Sequence, residues 1–267
     1  MFRNRSGIAA LIITCCLSVV AYASLLAFVP AGRSPARIRS ASLPADTLWA
    51  WERLDDLRSI DSRRFGVAYL EETIQLAGGL SVVQRRQPLL VPPKTALIAV
   101  VRIEAPAGRS DLSDPTLSTK VAEIIATARQ TRSASVIQVD FDARQSQREF
   151  YRKVLVDLRR RLPEEVPISI TALASWCAGD DWISGLPVDE AVPMFFRMGP
   201  DHFPSDRPGW SYPIREPLCT GAAGLSTDEA WPRVDHQKRL YFFHPRPWNP
   251  VAIQNLEHEI SDGWDPS

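Results

Sequence analysis

Between Ala96 and Leu173 the chain repeats one unit: a short apolar, β-branched run, then a helical stripe, then another such run. The runs Ala96–Ile103, Val136–Phe141 and Ile168–Leu173 are nearly continuously apolar, as strands covered on both faces must be. Between them, Leu117–Arg129 sets Val121, Ile124, Ile125 and Ala128 on one helical face, and Gln147–Leu162 does the same with Phe150, Val154, Leu155 and Leu158 before stopping at Pro163. Such alternation dictates parallel strands joined by crossover helices. Outside this stretch, Thr47–Trp51, Gly66–Leu70, Val192–Met198, Gly221–Leu225 and Leu240–Phe243 read as further strands, and Val251–Ile260 as a closing helix. Eight strands in one rhythm, with no glycine-rich phosphate loop after any of them, favour a closed (β/α)8 barrel over an open doubly wound sheet. The expected fold is therefore α/β, an irregular TIM-like barrel. Leu80–Val91 reads as two extended pieces around Gln84–Pro88, and Gly199–Pro217 holds five prolines. Helices two, six and seven are thus expected to be reduced to loops or a hairpin.

An N-terminal apolar segment precedes the barrel. Arg3 and Arg5 lead into an apolar run over Ile8–Val29, long enough to span a bilayer, and Ala21-Tyr22-Ala23 offers a cleavage site inside it. Residues 1–30 are read as a signal peptide or a membrane anchor, 31–45 as a flexible linker and 46–267 as the barrel domain. Both readings export the C-terminal part into a bacterial cell envelope, either tethered to the inner membrane through residues 8–29 and facing the periplasm, or released there. Lys+Arg and Asp+Glu both total 31, so no basic excess points to nucleic acid. Cys177 and Cys219 in the globular part either pair, as exported cysteines do, or stay buried thiols. His202, His236 and His258 lack metal-ligand spacing, and no cofactor or metal is expected.

The sharpest chemical signal is Val139-Asp140-Phe141-Asp142. Residues i and i+2 of a strand share a face, so Asp140 and Asp142 point one way and Phe141 the other. Barrel chemistry sits at the carboxyl ends of the strands. That rule collects Glu52, Glu104, Asp140, Asp142, Arg197, Asp228, Glu229 and His244 around one mouth. Glycoside hydrolysis needs a protonated acid at the leaving oxygen and a second carboxylate as nucleophile or base. The expected roles are acid/base for Asp142 and nucleophile for Glu229 or Asp228, with Asp140 tuning Asp142 by like-charge repulsion. Arg197, between Phe196 and Met198, must meet a partner or a polar mouth, and it suits an acidic or N-acyl sugar. Glu52, Glu104 and His244 complete the polar substrate set. Trp51, Trp176 and Trp231 are expected to stack on sugar rings. Plainer readings stand beside these: a local salt bridge for Glu52, an arginine partner for Glu104, a helix cap for Asp228-Glu229, a loop role for His244 ahead of Pro245, and ordinary packing for the tryptophans.

As a set, Leu48-Trp49-Ala50-Trp51-Glu52, Val139–Asp142, Ile170–Trp176, Val188-Asp189-Glu190, Pro193–Gly199 and Ser226–Glu229 resemble a bacterial family of unknown function with glycosidase-like barrels. This resemblance spans about Asp46 to Trp248. A more distant one is to chitinase-like glycoside hydrolases, whose fourth strand ends in Asp-x-Asp-x-Glu with the Glu as general acid. Asp140 and Asp142 match those aspartates, and Arg144 stands at the Glu position. Their sixth-strand Met-x-Tyr-Asp is met by Met194-Phe195-Phe196-Arg197, so Arg197 replaces that acid. Two functions remain open: an exported glycoside hydrolase-like protein acting on an envelope or extracellular polysaccharide, and a carbohydrate-binding or envelope-interaction barrel that has lost the acid.

Overall fold

The computed structural model describes residues 43–108, 111–128, 132–197, 211–233 and 239–262. The apolar runs form strands β1 (Asp46–Ala50), β2 (Phe65–Gln75), β3 (Ser81–Gln84), β4 (Leu97–Glu104), β5 (Val136–Asp140), β6 (Ile168–Leu173), β7 (Glu190–Met194), β8 (Ala222–Ser226) and β9 (Arg239–Phe243). All but β3 are parallel, in the order β1-β9-β8-β7-β6-β5-β4-β2, and β1 also pairs with β2, which closes an eight-stranded barrel. β2 runs on past the barrel wall, where β3 folds back antiparallel to it. Gly78 and Gly79 in the intervening turn have φ of 68° and 142°, values that only glycine adopts without strain. The two extended pieces expected over Leu80–Val91 are thus one short strand of this hairpin and an irregular stretch leading to β4.

Among the described residues four α-helices cover the outside: α1 (Pro115–Ala128), α2 (Arg148–Arg161), the short α3 (Ala174–Ala178) and α4 (Pro250–Asp262). Val121, Ala122 and Ile125 of α1 pack with Phe150, Val154, Leu155 and Leu158 of α2 over β4 to β6, all of them fully or nearly fully buried. α2 ends at Leu162, which is extended ahead of Pro163, as the residue before a proline must be. Arg159 in its last turn donates to the Val166 carbonyl at 2.7 Å and pairs with buried Asp189 at 3.6 Å. A second cluster packs β1, β2, β8 and β9 against Ile253 and Leu256 of α4. A third fills the barrel interior with Trp49, Ala68, Ile98, Val100, Val136, Val192, Ala222 and Tyr241.

The barrel is leaner than the sequence suggests. β1 is followed by bends and turns over residues 51–64 where a regular barrel has a helix, and the fifth crossover helix shrinks to α3. Among the described residues no helix lies between β7 and β9 beyond a single turn at Pro217–Cys219, and most of the loop expected over Gly199–Pro217 lies outside them. The sixth strand is Glu190–Met194 and not Val192–Met198, because Pro193 and its neighbours pair back to β6 from Ser169 onward. No described helix is long and apolar enough to cross a membrane. The apolar segment 8–29, linker residues 31–42 and Trp210, His202 and His236 lie outside the described residues.

Candidate functional site

At the carboxyl ends of the strands lies a cleft of about 610 Å³. Trp49 and Trp51 reach it from the inward face of β1 and its continuation. Asp140 and Asp142 come from β5, Thr171 from β6, and Met194, Phe196 and Arg197 from β7. Phe243 at the end of β9, Arg53 and Tyr212 complete the walls. Phe196 and Phe243 stack with centroids 5.4 Å apart, and Trp51 meets Phe243 edge-on at 6.5 Å. Below them Trp49 is fixed, its indole N–H donating to Gln138 Oε1 at 2.8 Å. That bond opens a chain through the barrel interior. Gln138 donates to Ser169 (3.1 Å), Ser169 to Glu190 (3.1 Å), and Tyr241 and Arg239 also donate to Glu190. Burial pushes the Glu190 carboxyl above its ordinary range, and Arg239, Tyr241 and Ser169 oppose that shift.

The two aspartates of β5 share the cleft side while Phe141 packs outward on Phe150 and Tyr151. Their surroundings differ. Asp140 is buried; Oδ1 accepts from the Thr171 hydroxyl at 2.7 Å and Oδ2 faces Arg102 Nη1 at 3.4 Å. Burial pushes its carboxyl up, against the pull of Arg102 and Thr171. Asp142 is exposed and makes no hydrogen bond or ion pair among the described residues. Arg102 also pairs with Glu104 at 3.2 Å and lies over the Trp51 ring at 5.7 Å. Beyond Arg102, Asp140 and Asp142 a second hollow of about 520 Å³ is lined by Gln75, Glu104, Arg144 and Gln147.

The remaining acids of the mouth are held. Arg197 adopts a left-handed backbone, φ 54°, and its guanidinium grips Asp228 at 2.9 Å and Glu229 at 2.7 Å, while its main-chain N–H donates to Glu229. Burial works to raise Asp228, but the Ser226 hydroxyl and Arg197 outweigh it and hold that carboxyl below its ordinary value. Glu52 accepts from the main-chain N–H groups of Arg86 and Gln87 at 3.0 to 3.2 Å. His244 sits 2.5 Å from the Thr227 hydroxyl and stacks on Trp248. Burial, with Arg246 and Arg53, lowers its pKa. Trp176 is placed in the outer core against Trp182, centroids 4.8 Å apart, and Trp182 in turn packs on Tyr151 of α2. Trp231 donates to the Ser226 carbonyl and packs on Phe242, again behind the wall. Neither indole lines the cleft.

Of the residues singled out from sequence, the cleft brings together Trp51, Asp140, Asp142 and Arg197, with Glu104 in the adjoining hollow. Asp228 and Glu229 stand behind Arg197. Sequence reasoning passed over Arg102, whose charge inside the run Ala99-Val100-Val101-Arg102-Ile103 carries the same signal that marked Arg197. Phe196 and Phe243 were findable as strand-end aromatics. Tyr212 follows a proline-rich stretch with no periodicity, and nothing in its local sequence marks it. Cys177 and Cys219 are joined in a disulfide, Cα atoms 5.9 Å apart. The strands beside them, β6 and β8, are not neighbours, but the cysteines lie in the outer layer, where α3 and the turn before β8 meet. Among the described residues no cluster of His, Cys, Asp or Glu has the makings of a metal site.

A family model described as a domain of unknown function (DUF3142) matches residues 93–193, which run from just before β4 to β7. No curated protein matches the chain. Among solved structures, the chain is similar to a GH18 chitinase from Pseudoalteromonas aurantia, at 11% identity and a TM-score of 0.50, over 79% of this chain and 98% of that one. The chitinase domain of the spore coat protein CotE from Clostridium difficile is similar over 66% of this chain and 57% of that chain, at 15% identity and a TM-score of 0.41. The first likeness carries the fold, an irregular TIM barrel, and matches the distant resemblance read from the β5 motif.

Proposed function

We propose that the cleft is a saccharide-binding site that holds its ligand without cleaving it. One observation carries this reading: Asp142 is the only carboxylate facing the cleft that has no partner among the described residues. Hydrolysis of a glycosidic bond uses two carboxyl groups in distinct roles, or one carboxylic acid with the substrate's own N-acyl group as the second. Here Asp140 is engaged by Arg102 and Thr171, Glu104 by Arg102, and Asp228 and Glu229 by Arg197. Arg144 occupies the sequence place where the resembling enzymes carry their acid. Trp51, Phe196 and Phe243 offer aromatic planes to the apolar faces of sugar rings. Asp142 accepts ligand hydroxyls or amides. The hydrolase reading keeps one observation in its favour: Asp140, its carboxyl raised by burial, and exposed Asp142 are the kind of split pair that acid catalysis uses. We place the protein in an oxidising envelope compartment, supported by the Cys177–Cys219 disulfide and the apolar N-terminal run.

The test uses the full chain in mild detergent against chitin, cellulose, peptidoglycan, alginate and β-1,3-glucan. Bound protein and released reducing ends are measured together for wild type, Asp142→Asn and Trp51→Ala. Expected are binding to at least one polymer, weakened in both variants, and no release. Release that vanishes in Asp142→Asn would make the protein a hydrolase. Failure to bind any polymer would remove the saccharide reading.

A further inference from the structure

Resting on the saccharide reading, we infer that Tyr212 is a ligand-contacting wall of the cleft, and that the Cys177–Cys219 disulfide is the positioning element that keeps it there. Tyr212 reaches the cleft from the irregular segment that leads to β8, and it packs its ring on Phe195 at 5.6 Å. Its segment, Ser211 to Glu216, has little regular structure of its own. Tyr212 and Ile214 seat it against the core by side-chain packing, and Cys177 holds its main chain. The main-chain N–H groups of Arg215 and Glu216 both donate to the Cys177 carbonyl, at 2.8 and 3.2 Å, and the disulfide follows three residues later at Cys219. The same short helix, α3, carries Ala174 and Ser175 into the cleft. One cross-link therefore ties together two walls of the site that approach it from opposite sides of β7.

Loops without secondary structure hold their shape through few contacts, and removing a tether lets them sample many conformers. Reduction breaks the S–S bond. Each sulfur takes up one electron and one proton from a dithiol such as dithiothreitol, which closes to its cyclic disulfide. The barrel strands and helices α1 and α2 do not depend on that bond, so the fold persists while Tyr212 leaves its place. Binding competence then follows the oxidation state of this one cysteine pair.

The experiment reads two quantities on the full chain, oxidised and reduced. The first is amide hydrogen exchange in the peptide spanning Ser211 to Cys219. The second is the dissociation constant for the polymer that oxidised wild type binds most tightly in the panel above. Reduction is expected to speed exchange of the Arg215 and Glu216 amides at least about tenfold, since their acceptor is no longer held against them. It should weaken binding about threefold to tenfold, the worth of one aromatic contact. The Cys177→Ala/Cys219→Ala double variant should behave like the reduced chain, with an unchanged far-ultraviolet circular dichroism spectrum. The discriminating arm is Tyr212→Ala. If the disulfide acts through Tyr212, that variant binds as weakly as reduced wild type, and reducing it costs no further affinity. An equal additional loss in Tyr212→Ala, or unchanged binding by reduced wild type, overturns the inference and leaves the saccharide reading standing. No binding by the oxidised chain overturns both.

Discussion

Replacing Gly224 by alanine tests how tightly the cleft floor is built. Gly224 lies in β8 and faces the barrel interior, in register with Met194 of β7 and Tyr241 of β9. A Cβ there would stand 3.0 Å from Cη2 and 3.3 Å from Cζ3 of Trp49, and 3.3 Å from the Pro193 carbonyl oxygen. Trp49 has no free direction in which to yield. Its N–H is held by Gln138, its carbonyl accepts from the Trp248 indole at 2.8 Å, and its ring lies on Tyr241 at 5.3 Å. Overpacking of this kind costs about 1–3 kcal/mol. A central value of about 2 kcal/mol lowers the melting temperature by roughly 4–8 °C for a domain of this size. The assay is thermal and urea unfolding of Gly224→Ala beside Gly221→Ala, where an added Cβ meets nothing within 4 Å. Gly221→Ala should be neutral or stabilising by up to about 1 kcal/mol through the unfolded chain. Trp49→Phe, which removes the two clashing atoms, should cost less in the Gly224→Ala background than in wild type. Equal melting temperatures for the two glycine variants would refute the argument, because they would show that Trp49 is free to move.

Three further outcomes follow from the same geometry. Glu72 is buried, its carboxyl raised above 4.5 by burial against a hydrogen bond from Gln84; the folded state therefore keeps the proton longer than the unfolded chain, and this group's contribution to stability falls as pH climbs from 4.5 through the raised value. Glu72→Gln should flatten that fall in denaturation midpoints measured from about pH 4 to 7, and an unchanged slope would count against the burial argument. Arg197→Gln frees Asp228, whose carboxyl should titrate upward toward its ordinary value by NMR, while stability changes by less than about 1 kcal/mol because the pair is largely solvated. Trp248→Ala empties a fully buried site that closes α4 against β1 and should cost about 3–5 kcal/mol in urea unfolding; a loss under about 1 kcal/mol would mean the closing helix is not held there.

The barrel was legible because its strands are buried on both faces, which writes an uninterrupted apolar run into the sequence, and because α1 and α2 each show a single stripe. Asp140 and Asp142 were placed on one face by parity alone, since a strand end offers only two directions. The state of the acids was not legible. Arg102 meets Asp140 across the β4–β5 register, 38 residues away, and Arg197 meets Asp228 and Glu229 across β7–β8. Those partnerships depend on which strands lie side by side, and local sequence carries no record of it. The stretch after β1 is not helical, and the bonds that hold it, from Arg53 to the His244 carbonyl, from Arg85 to the Trp51 carbonyl and from the Arg86 N–H to Glu52, likewise join residues distant in sequence.

Closure of the barrel has a consequence for how the molecule is made. The seam pairs Asp46 with Leu240, so β1 waits on one edge until a strand about 190 residues later has emerged. At ordinary synthesis rates that delay is roughly 10–40 s, during which two apolar strands expose unpaired edges. A chain cut short before Arg239 never closes and keeps both edges open, while insertions into the loops around the mouth leave the seam intact. The rim loops take no part in that seam, but the last strand cannot be shortened without opening it.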